Sequence, residues 1–105
     1  MKHSVANSIL TLEFDQEIVT ASDGNATLIS EMLTTGEASR VKEVMLDLKG
    51  VANVDSAGLN FLVSIIKVAK GKGIKTKAVI SHKSVSRIFK FTRMGELMDL
   101  EDLSE

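Results

Sequence analysis

The sequence predicts one α/β domain built on a mixed, mostly parallel sheet of about four to five strands, with helices packed against it. The length of 105 residues suits a single domain and leaves no room for a second core. Short apolar runs typical of strands alternate along the chain with longer segments of helical periodicity, the order expected of βαβ units. Residues 1–7 are expected to form an N-terminal tail, and residues 8–105 the domain.

Four segments carry strand patterns. In the first, Leu10, Leu12 and Phe14 alternate with polar residues, which predicts a half-buried strand. The second is short and is a candidate hairpin partner of the first, whereas the third is an apolar run that suits a central strand buried on both faces. The predicted strands cover residues 9–14, 16–21, 44–48 and 76–81. A last apolar segment, residues 97–103, fits a helix or a strand.

Three segments have helical spacing, and turn residues separate them from the strands. The predicted helices cover residues 26–35, 57–70 and 81–90. The first follows a turn cluster at residues 22–25 and stops at Gly36. The second stops at the Gly-Lys-Gly of residues 71–73. The third is predicted to begin with Ser81 as its cap and to end by Gly95.

The composition excludes several kinds of site. There are no cysteines, which rules out disulfides, thiolate nucleophiles and Cys-ligated metals, and the two histidines, His3 and His82, lie far apart in sequence. No paired carboxylates, nucleophile motif or phosphate-binding glycine loop can be recognised, so we expect no enzyme, no cofactor and no metal site. No apolar run approaches 18 residues and no signal peptide is evident. We therefore expect a cytoplasmic protein without a membrane partner.

The most informative segment is Val-Asp-Ser-Ala-Gly-Leu at residues 54–59, where a strand-like run ends and a long apolar helix begins. Ser56 falls at the N-cap or in the first turn of that helix, and a capping role alone is one interpretation. Helical spacing places four polar residues on one stripe with two apolar residues at its edges. They are Ser56, Asn60, Ser64 and Lys67, with Ala57 and Val63 flanking them. Such a strip is typical of a docking surface, and an ordinary solvated strip is the alternative.

Charge is distributed unevenly along the chain, although the formal net charge is only −1. Residues 56–95 contain no Asp or Glu but hold 9 of the 13 basic residues. This basic window could steer an acidic partner, or it could be a solvated face. Direct nucleic-acid binding is disfavoured, because the window has no recognised motif and few aromatic residues.

Two segments resemble the signature of the STAS domain, in particular that of the stand-alone bacterial anti-sigma factor antagonists. They are Val-Met-Leu-Asp-Leu-Lys-Gly-Val at residues 44–51 and the segment at residues 54–59. The resemblance extends over residues 8–103, and residues 81–97 are similar to the third helix of the family and its end. The chain departs from the family pattern at residues 16–25, where the usual acidic turn is displaced, and at Asn60, where glycine is common.

The resemblance implies a phosphorylation-controlled partner switch in bacterial signalling and transcription regulation. The unmodified protein would bind an anti-sigma factor that is a serine kinase of the histidine-kinase-like ATPase superfamily. Phosphorylation of the matching serine, Ser56, would release the partner, and a PP2C-type phosphatase would reset the switch. The expected partner-binding residues are Asp55, Ser56, Ala57, Gly58, Asn60, Val63, Ser64 and Lys67. The alternative is a STAS-like ligand-sensing or scaffold module in which Ser56 is only a helix cap.

Overall fold

A computed structural model describes residues 2–19 and 41–104 of the chain. The strands are β1 (Lys2–Ala6), β2 (Ile9–Glu13), β3 (Ile18–Val19), β4 (Glu43–Leu48), β5 (Asn53–Val54), β6 (Lys75–Ile80) and β7 (Asp99–Asp102). The helices are α1 (Ser56–Gly71) and α2 (Lys83–Phe91), and a 3₁₀ helix covers Met94–Glu96. The helix expected over residues 26–35, with its turn and its Gly36 stop, lies outside the described residues.

Five strands form the main sheet in the order β1-β2-β4-β6-β7. The β2–β4, β4–β6 and β6–β7 pairs are parallel, and only β1 pairs with β2 in the antiparallel sense. The central position of β4 and the predominance of parallel pairs confirm the α/β class that the sequence predicts. Parallel neighbours require a crossover between them, and α1 and α2 supply the connections from β5 to β6 and from β6 to β7.

The start of the chain differs from the expected tail, because residues 2–6 form edge strand β1. Its hairpin turn to β2 is made by Asn7 and Ser8, which have φ values of 54° and 65°. Two consecutive positive φ values are typical of a two-residue type I′ turn, and Asn is one of the residues that tolerate them. Only Val5 faces the core among largely polar neighbours, so main-chain pairing rather than an alternating pattern defines this strand.

The short second strand is confirmed at β3, but its predicted partner is wrong. Instead of forming a hairpin with β2, β3 pairs in parallel with β5 in a separate two-stranded sheet, which matches Ile18 with Asn53 and Val19 with Val54. The two-residue strands each bury one side chain, Val19 and Val54. Local alternation cannot distinguish the two partners, since β5 lies more than thirty residues further along the chain.

One face of the main sheet carries the core. Val44, Leu46 and Leu48 of β4 are fully buried, whereas Met45 and Asp47 between them stay partly exposed. The predicted burial of this strand on both faces is therefore wrong. Both helices pack against the same face of the sheet, because their buried side chains belong to one cluster with those of the strands.

Helix α1 is the main element above this core. It buries Gly58, Phe61, Leu62, Ile65, Ile66 and Ala69 along one side. The Phe61 ring meets Phe14 edge to face at a centroid distance of 6.3 Å. The helix ends as predicted: Gly73 has φ +72° and donates to the Lys70 carbonyl, while Ile74 N–H donates to the Ala69 carbonyl. These two bonds form a Schellman motif, which explains a glycine at this position.

Helix α2 is shorter than predicted at its start. Its N-cap is His82, which makes no side-chain capping bond, and the Ser81 hydroxyl donates to the Lys49 carbonyl instead of capping the helix. The helix ends at Phe91, and Gly95 lies inside the 3₁₀ helix that follows. Residues 97–103, left open as helix or strand, contain β7 because the residues from Asp99 onward pair with β6.

The packing of α1 against the core can be tested by truncating its buried side chains. Leu62 is fully buried and Ile66 is 3% exposed, so truncation of either side chain leaves a cavity beneath the helix. Leu62→Ala and Ile66→Ala should each lower the free energy of unfolding by about 2–5 kcal/mol. Urea midpoints measure the loss, and exposed Lys67→Ala is the control, with an expected change of about 0.5 kcal/mol or less. Midpoints equal to wild type in both core variants would contradict the packing.

The carboxylate of Asp102 on β7 should make the stability of the fold depend on pH in the acidic range. Hydrogen bonds from Ser104 and Ser86 lower the pKa of Asp102 from its ordinary 3.8 to about 2, and Ser86 Oγ lies 2.5 Å from its carboxylate. Because the folded-state pKa is depressed, this carboxylate stabilises the fold fully above pH 3.8, and the contribution is lost as the pH falls through about 2.

Ser86→Ala should therefore reduce the acid-dependent loss of stability, because the pKa of Asp102 moves back toward 3.8, and Asp102→Asn should remove this contribution to the pH dependence. Denaturant titrations of both variants and wild type between neutral and acidic pH provide the comparison. Identical pH profiles for all three proteins would show that the Ser86–Asp102 contact does not hold α2 to β7.

Candidate functional site

The segment that leads into α1 is held by main-chain hydrogen bonds to the strand β3 region. The N–H groups of Ala52 and Asn53 donate to the Glu17 carbonyl at 2.7 and 3.0 Å. Asp55 N–H donates to the Val19 carbonyl at 3.2 Å. The position at which α1 begins is thus set by its pairing with β3.

Asp55 is the N-cap of α1. Its backbone is extended, with φ −83° and ψ 176°, and its carboxylate accepts a 2.7 Å hydrogen bond from Gly58 N–H. Its own carbonyl accepts the first helical bond, from Leu59 N–H at 2.8 Å. These are the two bonds that define a side-chain-capped helix start. The capping role that the sequence left open for Ser56 therefore belongs to Asp55.

Ser56 is the first residue of α1, and its side chain is exposed. Its hydroxyl has no hydrogen-bond partner among residues 2–19 and 41–104. The first turn of α1 contains no acidic residue, and the Asp55 carboxylate at the cap lies against the partial positive charge of the helix N-terminus. The arrangement presents a hydroxyl to solvent beside backbone N–H groups that lack helical acceptors.

The polar stripe predicted on α1 lies on its accessible side. Ser56, Asn60 and Lys67 are exposed, and Ser64 is half-buried with its hydroxyl donating to the Asn60 carbonyl at 2.9 Å. Of the two expected flanking residues, Ala57 is exposed and Val63 is half-buried. The surface available to a partner is therefore a strip of polar side chains with a small apolar rim, about three helical turns long.

Gly58 is the expected partner-binding residue that the structure removes from this surface. It is buried, and its N–H is taken by the Asp55 carboxylate. Its sequence neighbours Ala57 and Ser56 are exposed.

Two serines that sequence analysis did not assign to the site support the loop before it. Ser84 Oγ donates to the Ala52 carbonyl, and Ser81 Oγ donates to the Lys49 carbonyl at 2.5 Å. Both link the start of α2 to the connection between β4 and β5, which leads to Asp55 and Ser56. The hydroxyl residues that follow β6 are the one feature of the sequence that could have indicated this supporting role. The carbonyl groups that accept their hydrogen bonds lie about thirty residues earlier in the chain, so the sequence alone does not identify them.

Within the described part of the chain, no three His, Cys, Asp or Glu side chains come together as a group that could hold a metal ion. The same residues contain no helix of the length and apolar character needed to cross a bilayer.

Substitutions can test whether Asp55, and not Ser56, is the residue that caps α1. Asp55→Ala should lower the free energy of unfolding by about 0.5–2 kcal/mol, because Gly58 N–H loses its acceptor. Asp55→Asn should retain most of the stability, since an asparagine oxygen caps equally well. Ser56→Ala should melt like wild type. Thermal melts of the three variants check the assignment, and a Ser56→Ala loss as large as that of Asp55→Ala would contradict it.

Comparison with known proteins places these features in a family. The model of the STAS domain matches residues 2–104. The NMR structure of the protein TM1081 superposes with a TM-score of 0.76 at 17% identity, over 95% of this chain and 78% of that chain. The crystal structure of a candidate anti-sigma factor antagonist, tm1081 of Thermotoga maritima, gives a TM-score of 0.71 at 19% identity. That match covers 96% of this chain and 85% of the other.

At these identities the two structures share the fold, and the family model extends from β1 to the residues after β7. The mixed five-stranded sheet with its two helices is thus the fold of a known domain type. The chain belongs to the STAS domain family.

Proposed function

We propose that this protein is a phosphorylation-controlled interaction switch of the anti-sigma factor antagonist type. In this proposal the unmodified form binds an anti-sigma factor that is a serine kinase of the histidine-kinase-like ATPase superfamily. Phosphorylation of Ser56 releases that partner, and a PP2C-type phosphatase restores the binding form. The protein itself is a substrate and a binding partner rather than an enzyme, and the switch operates in the cytoplasm, where ATP is supplied.

The observation that carries the proposal is the division of roles between two adjacent residues. Asp55 caps α1, so the exposed Ser56 hydroxyl is not required to start the helix. A serine with no structural task in the described fold, at the exposed end of a polar stripe, is accessible to a kinase. A scaffold module in which Ser56 is only a cap gains no support from this geometry.

The chemistry of the switch is a phosphoryl transfer at Ser56 Oγ. The hydroxyl oxygen attacks the terminal phosphorus of ATP, its proton passes to a base of the kinase, and ADP leaves. In the reverse branch, water attacks the phosphorus of phosphoserine, and the serine hydroxyl and inorganic phosphate are released. The residues of this chain only present the oxygen in an exposed first turn.

The fold should tolerate the phosphate. The modification adds about −1.5 to −2 charge at pH 7. The helix N-terminus stabilises an anion by about 0.3–1 kcal/mol at an exposed site. Repulsion from Asp55 at about 4–6 Å costs about 1–2 kcal/mol at the dielectric of water. The helix N-terminus offsets part of this cost, and the remainder is small against the stability of about 5–15 kcal/mol that is typical of a domain, so the phosphorylated domain should remain folded.

The bound complex should not tolerate the phosphate. A partner surface shaped to receive a neutral hydroxyl would have to desolvate a dianion beside Asp55 and the rim of Ala57 and Val63. An uncompensated charge in an interface costs about 3–5 kcal/mol, which is more than a hundredfold in affinity. The proposed readout is therefore loss of binding without loss of fold.

Three variants at Ser56 test the switch. Ser56→Asp and Ser56→Glu should fold normally but bind the kinase partner at least about a hundredfold more weakly. Ser56→Ala should bind like wild type and stay bound after treatment with kinase and ATP. Affinities come from titration against the purified partner, with thermal melts as the check on folding and Ser4→Glu on β1 as a matched control. Mass measurement of protein from its native cell shows whether Ser56 carries phosphate.

Acidic variants that bind like wild type, together with kinase treatment that leaves Ser56 unmodified, would contradict the proposal. Such a result would favour the ligand-sensing or scaffold module instead.

A further inference from the structure

Strand β1 is an open edge of the main sheet. The strand order places it at one end, and β2 is its one partner strand among residues 2–19 and 41–104. The unpaired main-chain groups of an edge strand are a template for pairing with a further strand. Which groups of β1 are unpaired follows from the hydrogen bonds of β2.

Residues 8–14 bond alternately to the two neighbours of β2. The Ser8 carbonyl accepts from Lys42 N–H at 2.8 Å, so this residue bonds toward β4. At the other end of β2, Phe14 N–H donates to the Asp47 carbonyl at 3.0 Å, again toward β4. The even-numbered residues therefore face β4, and the odd-numbered residues of β2 face β1.

The same alternation leaves two residues of β1 without main-chain partners in the described part of the sheet. Lys2, Ser4 and Ala6 lie opposite the odd-numbered residues of β2 and bond to them. The N–H and C=O groups of His3 and Val5 therefore point to the open edge. Strand β1 thus presents two donors and two acceptors along one side.

Strand β1 also lacks the features that protect edge strands. Natural edges are blocked by charged side chains, prolines, bulges or a covering element. The chain contains no proline, the β1–β2 register has no bulge, and Lys2 is the one residue of β1 that is charged at neutral pH. The opposite edge, β7, carries Asp99, Glu101 and Asp102 within four residues. Pairing of β7 with itself would bring carboxylates together, which is destabilising.

We propose that β1 is a dimerisation surface, which pairs in the antiparallel sense with β1 of a second copy of this chain. In the register centred on Ser4, His3 lies opposite the partner's Val5, and Val5 lies opposite the partner's His3. These two pairs form four main-chain hydrogen bonds, which use every outward donor and acceptor of both residues. The two Ser4 residues meet at the two-fold axis, and the two five-stranded sheets become one.

The self-complementarity of β1 identifies a second copy as the occupant. In this register Lys2 lies across from the partner's Ala6, so no charge of β1 faces one of the same sign. The contact closes on itself by a two-fold axis, which is the commonest symmetry of protein oligomers. Pairing of β1 with β7 of another copy would instead repeat from copy to copy and build a filament.

Disulfide trapping tests the register, because the chain contains no cysteine of its own. Ser4→Cys places the two thiols at the axis, in a non-hydrogen-bonded pair whose Cα atoms lie about 4.5 Å apart, within reach of a disulfide. His3→Cys is the matched control, since its two thiols are diagonal neighbours with Cα atoms about 7–8 Å apart. Under mild oxidation Ser4→Cys should form a covalent dimer at least about tenfold faster than His3→Cys. In denaturant the two variants should react alike.

Proline at position 3 tests the hydrogen bonds without a crosslink. His3→Pro removes an N–H group that faces the open edge, so the pairing of β1 with β2 is kept. The dimer loses two of its four hydrogen bonds and should weaken by at least about tenfold. His3→Ala keeps the main chain and should dimerise like wild type. Sedimentation over a range of protein concentrations measures association, because so small an interface forms a weak dimer. Thermal melts show that each variant is folded.

Four results would overturn the proposal. They are a wild-type chain that stays monomeric at every concentration, a Ser4→Cys chain that oxidises no faster than His3→Cys, a His3→Pro chain that associates like wild type, and polymers without a fixed size. The last result would favour pairing of β1 with β7.

The dimer and the proposed switch can fail independently, because Ser56 belongs to α1 and takes no part in the β1 contact. Ser56→Glu should therefore dimerise like wild type, whatever its affinity for the switch partner. Ser4→Glu should be monomeric, because two carboxylates would meet at the axis, and should still bind the partner of the Ser56 surface. A Ser56→Glu chain that no longer dimerises would contradict the assignment of the contact to β1.

Discussion

The hydrogen bond from Gly58 N–H to the Asp55 carboxylate is the interaction on which the accessible site depends. It fixes where α1 begins, and it leaves Ser56 in the exposed first turn of the helix rather than at the cap. Asp55 itself is held by its N–H bond to the Val19 carbonyl, so the cap depends on the pairing of β3 with β5.

The side chains that stabilise the domain and those that are accessible to a partner lie on opposite sides of the helices. Both helices bury one side on the same face of the sheet, and the core receives side chains from β2, β4 and β6 in strict alternation. The outer sides of the helices carry polar and cationic residues, since the sequence holds no carboxylate between Ser56 and Gly95. Substitutions on these outer sides can change recognition with little change in stability, because they leave the packing untouched.

The helical layer also has two distinct ends. Ser56 begins α1 at one edge with an exposed hydroxyl beside a helix N-terminus, and Phe91 ends α2 at the other with an exposed ring. The helix dipoles add to this contrast in a defined sense: the N-terminal edge favours an anion such as phosphate, whereas the C-terminal edge favours cations such as Lys70 and Lys90.

The sequence by itself determined the α/β class, the strands β2, β4 and β6, the extent of α1 and the polar stripe from Ser56 to Lys67. These depend on periodicity within a single element, and local periodicity follows directly from burial of one face. The resemblance to the STAS domain also rested on contiguous residues. Tertiary structure alone decided the features that join distant segments. It paired β3 with β5, used the Ser81 and Ser84 hydroxyls to hold the loop before the site, and made a strand of residues 2–6. It also gave the cap to Asp55 rather than Ser56, because the choice between two adjacent polar residues depends on which main-chain N–H the preceding strand pairing leaves within reach.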